Sequence, residues 1–122
     1  MTVSNQTIPQ EGTEYIAGNT ATIELTINDE DGGPRNLQGA DVTFTLAEYR
    51  GSSVIFKKEL GDGIELVDAE SGRVDIHVSE DDTKDLGGTK GKDYHFEVTV
   101  TDDVDDVVTV ATGKWKIYTS TR

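Results

Sequence analysis

The chain has 122 residues, the size of one domain, and no internal repeat. It has no cysteine, which excludes disulfides, thiol nucleophiles and thiolate zinc sites, so the fold must rest on an apolar core that this length can supply. Asp plus Glu number 24 against 11 Lys plus Arg, a formal net charge of −13; such a surface repels phosphate backbones and disfavours nucleic acid as a partner.

Residues 1–14 are polar, with neither the basic start and apolar run of a signal peptide nor any strand periodicity. They read as a flexible or partner-docked arm, with Thr7, Ile8 and Pro9 as interface candidates. Asn5-Gln6-Thr7 on this arm is a formal glycosylation acceptor, a pattern that often arises by chance. From residue 15 to residue 122 the pattern changes to short segments of period two.

The first strand is predicted over Ala21 to Ile27, where Ala21, Ile23, Leu25 and Ile27 alternate with polar residues. Asp29-Glu30-Asp31-Gly32-Gly33-Pro34 ends it with turn chemistry. Val42, Phe44 and Leu46 define a second strand, and Val54 to Leu60 a third with Ile55 or its neighbours inward. Gly61-Asp62-Gly63 turns the chain into Ile64-Glu65-Leu66-Val67, and Ala69-Glu70-Ser71-Gly72 turns it again into Arg73 to Val78. Ser79 with Asp82 three residues on predicts one capped helical turn, closed by Gly87-Gly88, with only Leu86 to bury. Tyr94, Phe96, Val98 and Val100 form the strongest apolar stripe. After the acidic hairpin tip at Asp102 to Asp106, the last strand runs from Val107 to about Tyr118. It is bent by a bulge near Ala111-Thr112-Gly113, and Trp115 and Ile117 cover one end of the core. Seven to eight short strands with one helical turn indicate an all-β, antiparallel immunoglobulin-like β-sandwich, with a small closed barrel as competitor.

No apolar run approaches the length of a membrane span, so a soluble protein without a membrane partner is expected. Acidity with few aromatics also accompanies disorder, but strict alternation argues against that here. Two origins fit the acidity: an acidic protein of ordinary habitat, or adaptation to high salt, where ions screen the self-repulsion and carboxylates hold water. The abundance of Asp and Thr with few Lys follows the second.

Little in the chain could carry catalysis. His77 and His95 sit on the polar sides of their strands and read as solvated; they could share a metal only if those strands were neighbours. Asp29-Glu30-Asp31-Gly32 is no EF-hand loop, because Ile27 and Gln38 would occupy the first and last ligand positions. Asp102, Asp103, Asp105 and Asp106 are weak metal candidates, and no carboxylate pair stands out for glycoside hydrolysis. The glycines lie at turns rather than in a phosphate loop. No enzyme and no cofactor are expected.

One resemblance extends over residues 15–119. Ile23 to Gly32 followed by Asn36-Leu37-Gln38-Gly39-Ala40-Asp41-Val42-Thr43-Phe44 is similar to a strand, D-x-D-G, Leu-x-Gly-Ala, strand opening. Gly63-Ile64-Glu65-Leu66 and Ser71-Gly72-Arg73-Val74 resemble the middle hairpin that follows it, and Ser79 to Leu86 the short turn. Tyr94-His95-Phe96-Glu97 and Val108 to Trp115 resemble the closing strands. The family is that of the N-terminal domain of phage baseplate upper proteins and related small immunoglobulin-like virion proteins. The resemblance implies a structural protein of a tailed virus, in the tail, baseplate, neck or capsid decoration, partnered by other virion proteins and by copies of itself. With the acidity, it implies a virus of a halophilic host and location in the virion. Interface candidates are then the arm and the aromatics Tyr15, Tyr49 and Tyr118, expected to be exposed. The alternative is a cell-surface or carbohydrate-binding module that uses carboxylate-bound calcium.

Overall fold

Alternation of small polar and apolar residues gives each strand one buried face, and the structure, a computed structural model, is built almost wholly of such strands. It describes residues 2–7, 15–28, 33–102 and 106–121. In chain order these are β1 (Thr2–Thr7), β2 (Tyr15–Ile16), β3 (Ala21–Asn28), β4 (Asp41–Ala47), β5 (Val54–Leu60), β6 (Gly63–Asp68), β7 (Arg73–Val78), the single-turn helix α1 (Glu80–Thr83), β8 (Lys92–Thr101) and β9 (Val107–Tyr118). The fold is all-β.

The strands make one curled row, β1-β3-β7-β6-β5-β4-β8-β9-β2. Pairing is antiparallel except at two places. β2 runs parallel to the end of β9, and β5 touches β6 in parallel only through Glu59–Gly63 and Leu60–Ile64. The sheet is therefore mixed, which corrects the wholly antiparallel expectation. Residues 2–7, part of the segment read as an arm, lie as β1 along β3 of their own chain.

Curling brings the apolar faces of both halves of the row onto one core. Ile23, Leu25 and Ile27 of β3 and Val74 and Ile76 of β7 meet Val42, Phe44 and Leu46 of β4, Phe96 and Val98 of β8, and Trp115 and Ile117 of β9. Trp115 is fully buried, with the Tyr15 ring 4.7 Å away and the Phe44 ring edge-on at 6.5 Å. Such ring pairs add to the burial of large apolar area. Leu37, in the β3–β4 connection, is also fully buried, held by its N–H donating to Ala69 O. The β8–β9 register shifts between Val98 and Thr99, so that Val110 is the extra residue of a bulge, one position before the predicted bend.

The turn after β7 forms as its composition requires. The Ser79 N–H donates to the Asp82 carboxylate at 2.7 Å, closing the first turn of α1. What it buries differs from expectation: Thr83 is fully buried, whereas Leu86 is only partly so. The Gly18 N–H donates to Thr83 Oγ1 (2.8 Å), and the Tyr15 hydroxyl, which donates to Asn19 O, lies 3.1 Å from the same oxygen. A hydroxyl can be buried here because each of its hydrogen-bonding roles is filled.

Candidate functional site

The β4–β5 turn, Glu48 to Ser53, carries the most exposed aromatic ring of the described residues, Tyr49, at 65%. The turn is stiff. Ser52 Oγ donates to Tyr49 O (2.8 Å), the Ser52 N–H reaches the same oxygen, and Gly51 takes the left-handed conformation at φ +86°. Tyr49 therefore projects from a fixed backbone.

A hollow lies on each side of Tyr49, and Glu48 and Tyr94 border both. The first, about 550 Å3, runs past Val54 and Ile55 to Leu86. The second, about 460 Å3, runs over His95 and Gly113 towards β9. Adjoining along Glu48, Tyr49 and Tyr94, the two hollows border the β4–β5 turn, the starts of β5 and β8, and the middle of β9, and are together called the trough. Tyr94 is buried at its base, its hydroxyl accepting from the Gly87 N–H at 2.7 Å.

Charge is balanced along the trough, where the carboxylates Glu48, Asp85 and Asp93 lie among the cations Arg50, Lys92 and Lys114. Lys92 pairs with Glu48, and this hydrogen bond holds the ammonium above its ordinary pKa. Val54 and Ile55 are 54% and 36% exposed. The β5 residues packed against the core are their neighbour Phe56 and, further on, Leu60. His95 is mostly buried; its Nε2 lies 3.6 Å from Glu97 and has no hydrogen-bond partner.

The remaining sequence candidates are scattered. Tyr15 is 4% exposed and belongs to the core, which corrects its expected exposure: Trp115 and Thr83 enclose it. Tyr118 is half-buried and its carbonyl accepts from the Ala17 N–H. Thr7 ends β1, and Ile8 and Pro9 lie outside the described residues. Asp102 and Asp106 are tied to one another, the Asp106 N–H donating to Asp102 Oδ1 at 3.0 Å, with Arg35 3.9 Å from the other oxygen. Asp103 and Asp105 are outside the described residues. His77 bridges Thr22 and Glu65 on the outer face of β7, and β7 does not neighbour β8, so the two histidines do not share a site. Among the described residues no cluster of three His, Asp or Glu side chains is arranged to hold a metal. No helix of the described residues is long and apolar enough to cross a membrane.

The trough was only partly visible in sequence. Tyr49 was a candidate, but Val54 and Ile55 were not, because V-I-F-K-K-E-L does not say which alternate set faces inward. Four separated segments supply the charges, and no local spacing links them. No protein-family model matches the chain, and a search of curated proteins finds no significant match.

Proposed function

We propose that the chain is a non-enzymatic structural protein of a tailed virus particle, built on an immunoglobulin-like sandwich and working by multivalent docking to virion proteins and to copies of itself. The sandwich part of this reading is supported by the strand order. An immunoglobulin domain has strands A, B, E and D in one layer and C, F and G in the other. Here β1-β3-β7-β6 follows the order A-B-E-D, and β4-β8-β9 follows C-F-G with β5 added at its edge. β2 then plays the second half of strand A, switched across to the other layer. The two-residue contact of β5 with β6 is the seam between layers.

A second feature agrees. Tyr94, near the start of β8, returns its hydroxyl to the backbone of Gly87; this is the tyrosine corner of such sandwiches. Two features depart from antibody domains: the tryptophan is on the last strand, and there is no disulfide. The step from sandwich to virion rests on the motif order that resembles the baseplate and small virion domains, since the fold alone hosts many functions. The acidic surface points to a host living in high salt.

Mass spectrometry of gradient-purified particles tests the assignment. The expected result is this chain at a stoichiometry fixed relative to the major capsid protein. Its absence from intact particles would overturn the reading. Genes for capsid and portal, or for tape measure and fibre, beside its own then distinguish head from tail.

A further inference from the structure

We propose that the trough around Tyr49 is a self-docking surface, at which a second copy of this chain binds. Naming this surface deepens the docking reading above and rests on its self-association clause.

The argument begins with electrostatics. A body with net charge −13 repels its own copies over most of its surface. Three carboxylates and three cations share the trough, so it contributes no net charge to that repulsion. Two copies can approach there, and the mixed signs are self-complementary: the Arg50 and Lys114 of one copy meet carboxylates of the kind carried by Glu48 and Asp93 of the other. A polyanion or polycation would find no such match.

Apolar contact is available at the same place. Tyr49, Val54 and Ile55, three of the large hydrophobic side chains that stand exposed, border one hollow. Clustered apolar exposure with a polar rim marks protein interfaces, and a projecting tyrosine beside a hollow is the usual anchor. Beside it, β5 pairs with β6 only at its last two residues, so the backbone from Val54 to Lys58 has an open edge among the described residues. A neighbouring copy can use that edge for main-chain hydrogen bonds.

Sedimentation velocity on the full chain, from about 10 μM to about 1 mM, tests the proposal with concentrations that span weak pairing. A reversible pair is expected. Tyr49→Ser and Val54→Ser should each weaken it by about tenfold or more, as truncated interface anchors do. Leu66→Ser and Val107→Ser, at exposed apolar positions outside the trough, should leave it unchanged. Arg50→Glu should weaken the pair at low ionic strength and recover in about 1 M NaCl, where charges beyond about 3 Å are screened. Tyr49→Ser should not recover. All these positions are exposed in the monomer, and an unchanged melting temperature verifies that each variant folds. A chain that stays monomeric throughout, or controls that weaken pairing as much as the trough variants, would overturn the surface. Neither result would touch the virion assignment, which particle composition decides separately.

Discussion

At the scale of single residues, a buried hydroxyl and a glycine each hold a turn against the rest of the fold. Thr83 Oγ1 is buried, takes the Gly18 N–H and lies beside the Tyr15 hydroxyl, so one oxygen ties the β2–β3 turn to α1. Thr83→Val keeps the volume but leaves a buried N–H without an acceptor. It should cost about 1–3 kcal/mol in chemical denaturation, and Thr83→Ser markedly less. Gly72 works by lacking a side chain. At φ +70° it ends the β6–β7 turn, and an added Cβ would press on the carbonyl oxygens of Ile27 and Arg35, both backbone atoms. Gly51, at φ +86°, has open space where its Cβ would go. Gly51→Ala should therefore cost only the left-handed strain of about 1–2 kcal/mol, while Gly72→Ala should cost clearly more. Equal losses in melting experiments would show that backbone strain alone, rather than the approach of β3, requires glycine at position 72.

At the scale of elements, one ion pair fastens the helical turn to the sheet. Asp82 closes α1 through Ser79 and also meets Lys58 of β5 at 2.7 Å, with both side chains mostly buried. Desolvation would raise the Asp82 pKa, but the Lys58 ammonium and the Ser79 donors outweigh it and hold the carboxyl below its usual range. A carboxyl with a lowered folded-state pKa adds stability above its unfolded pKa, about 3.9, and loses it as pH falls through the folded value. Asp82→Asn should thus lower the unfolding free energy near neutral pH, and the gap from the parent should close below about pH 4. A gap that persists into strong acid would mean that lost packing, not the ion pair, causes the defect.

The same scale shows why some elements were legible and others were not. β3, β4, β7, β8 and β9 match their predicted spans to within a residue or two, because alternation over six or more residues is a direct record of a half-buried strand. Periodicity reports which face is buried, not which strand lies alongside. The parallel contacts of β2 and β5 therefore left no trace in the sequence. Nor did the burial of Leu37, which a backbone bond to Ala69 places in the core from a loop. β6 also forms over its predicted span, but of its apolar residues only Ile64 is buried, Leu66 and Val67 standing 37% and 44% exposed. Of the candidate tyrosines, only Tyr49 borders the trough, since the rest of that surface exists only once β4, β5, β8 and β9 are side by side.

At the scale of the whole molecule, net charge and sheet register act together. Across β3, β7 and β6, Glu24 stands opposite Asp75, and Asp75 opposite Glu65, a row of three carboxylates on neighbouring strands. Like charges directly opposite on a sheet are destabilising, and here they add to the repulsion of a body at −13. Asp75 is the worst placed, flanked on both sides, with Oδ1 shielded from water and without a hydrogen-bond partner. Asp75→Asn removes the central charge and offers an amide to the flanking carboxylates. It should raise stability by about 0.5–1 kcal/mol in dilute buffer. In about 1 M salt, where the screening length falls to about 3 Å, that gain should shrink towards zero. The parent chain should show the complementary behaviour, its melting temperature climbing as NaCl rises from tens of millimolar to the molar range. A melting temperature indifferent to salt would remove the physical basis for assigning this surface to a high-salt environment. It would leave the acidity as a feature of solubility alone.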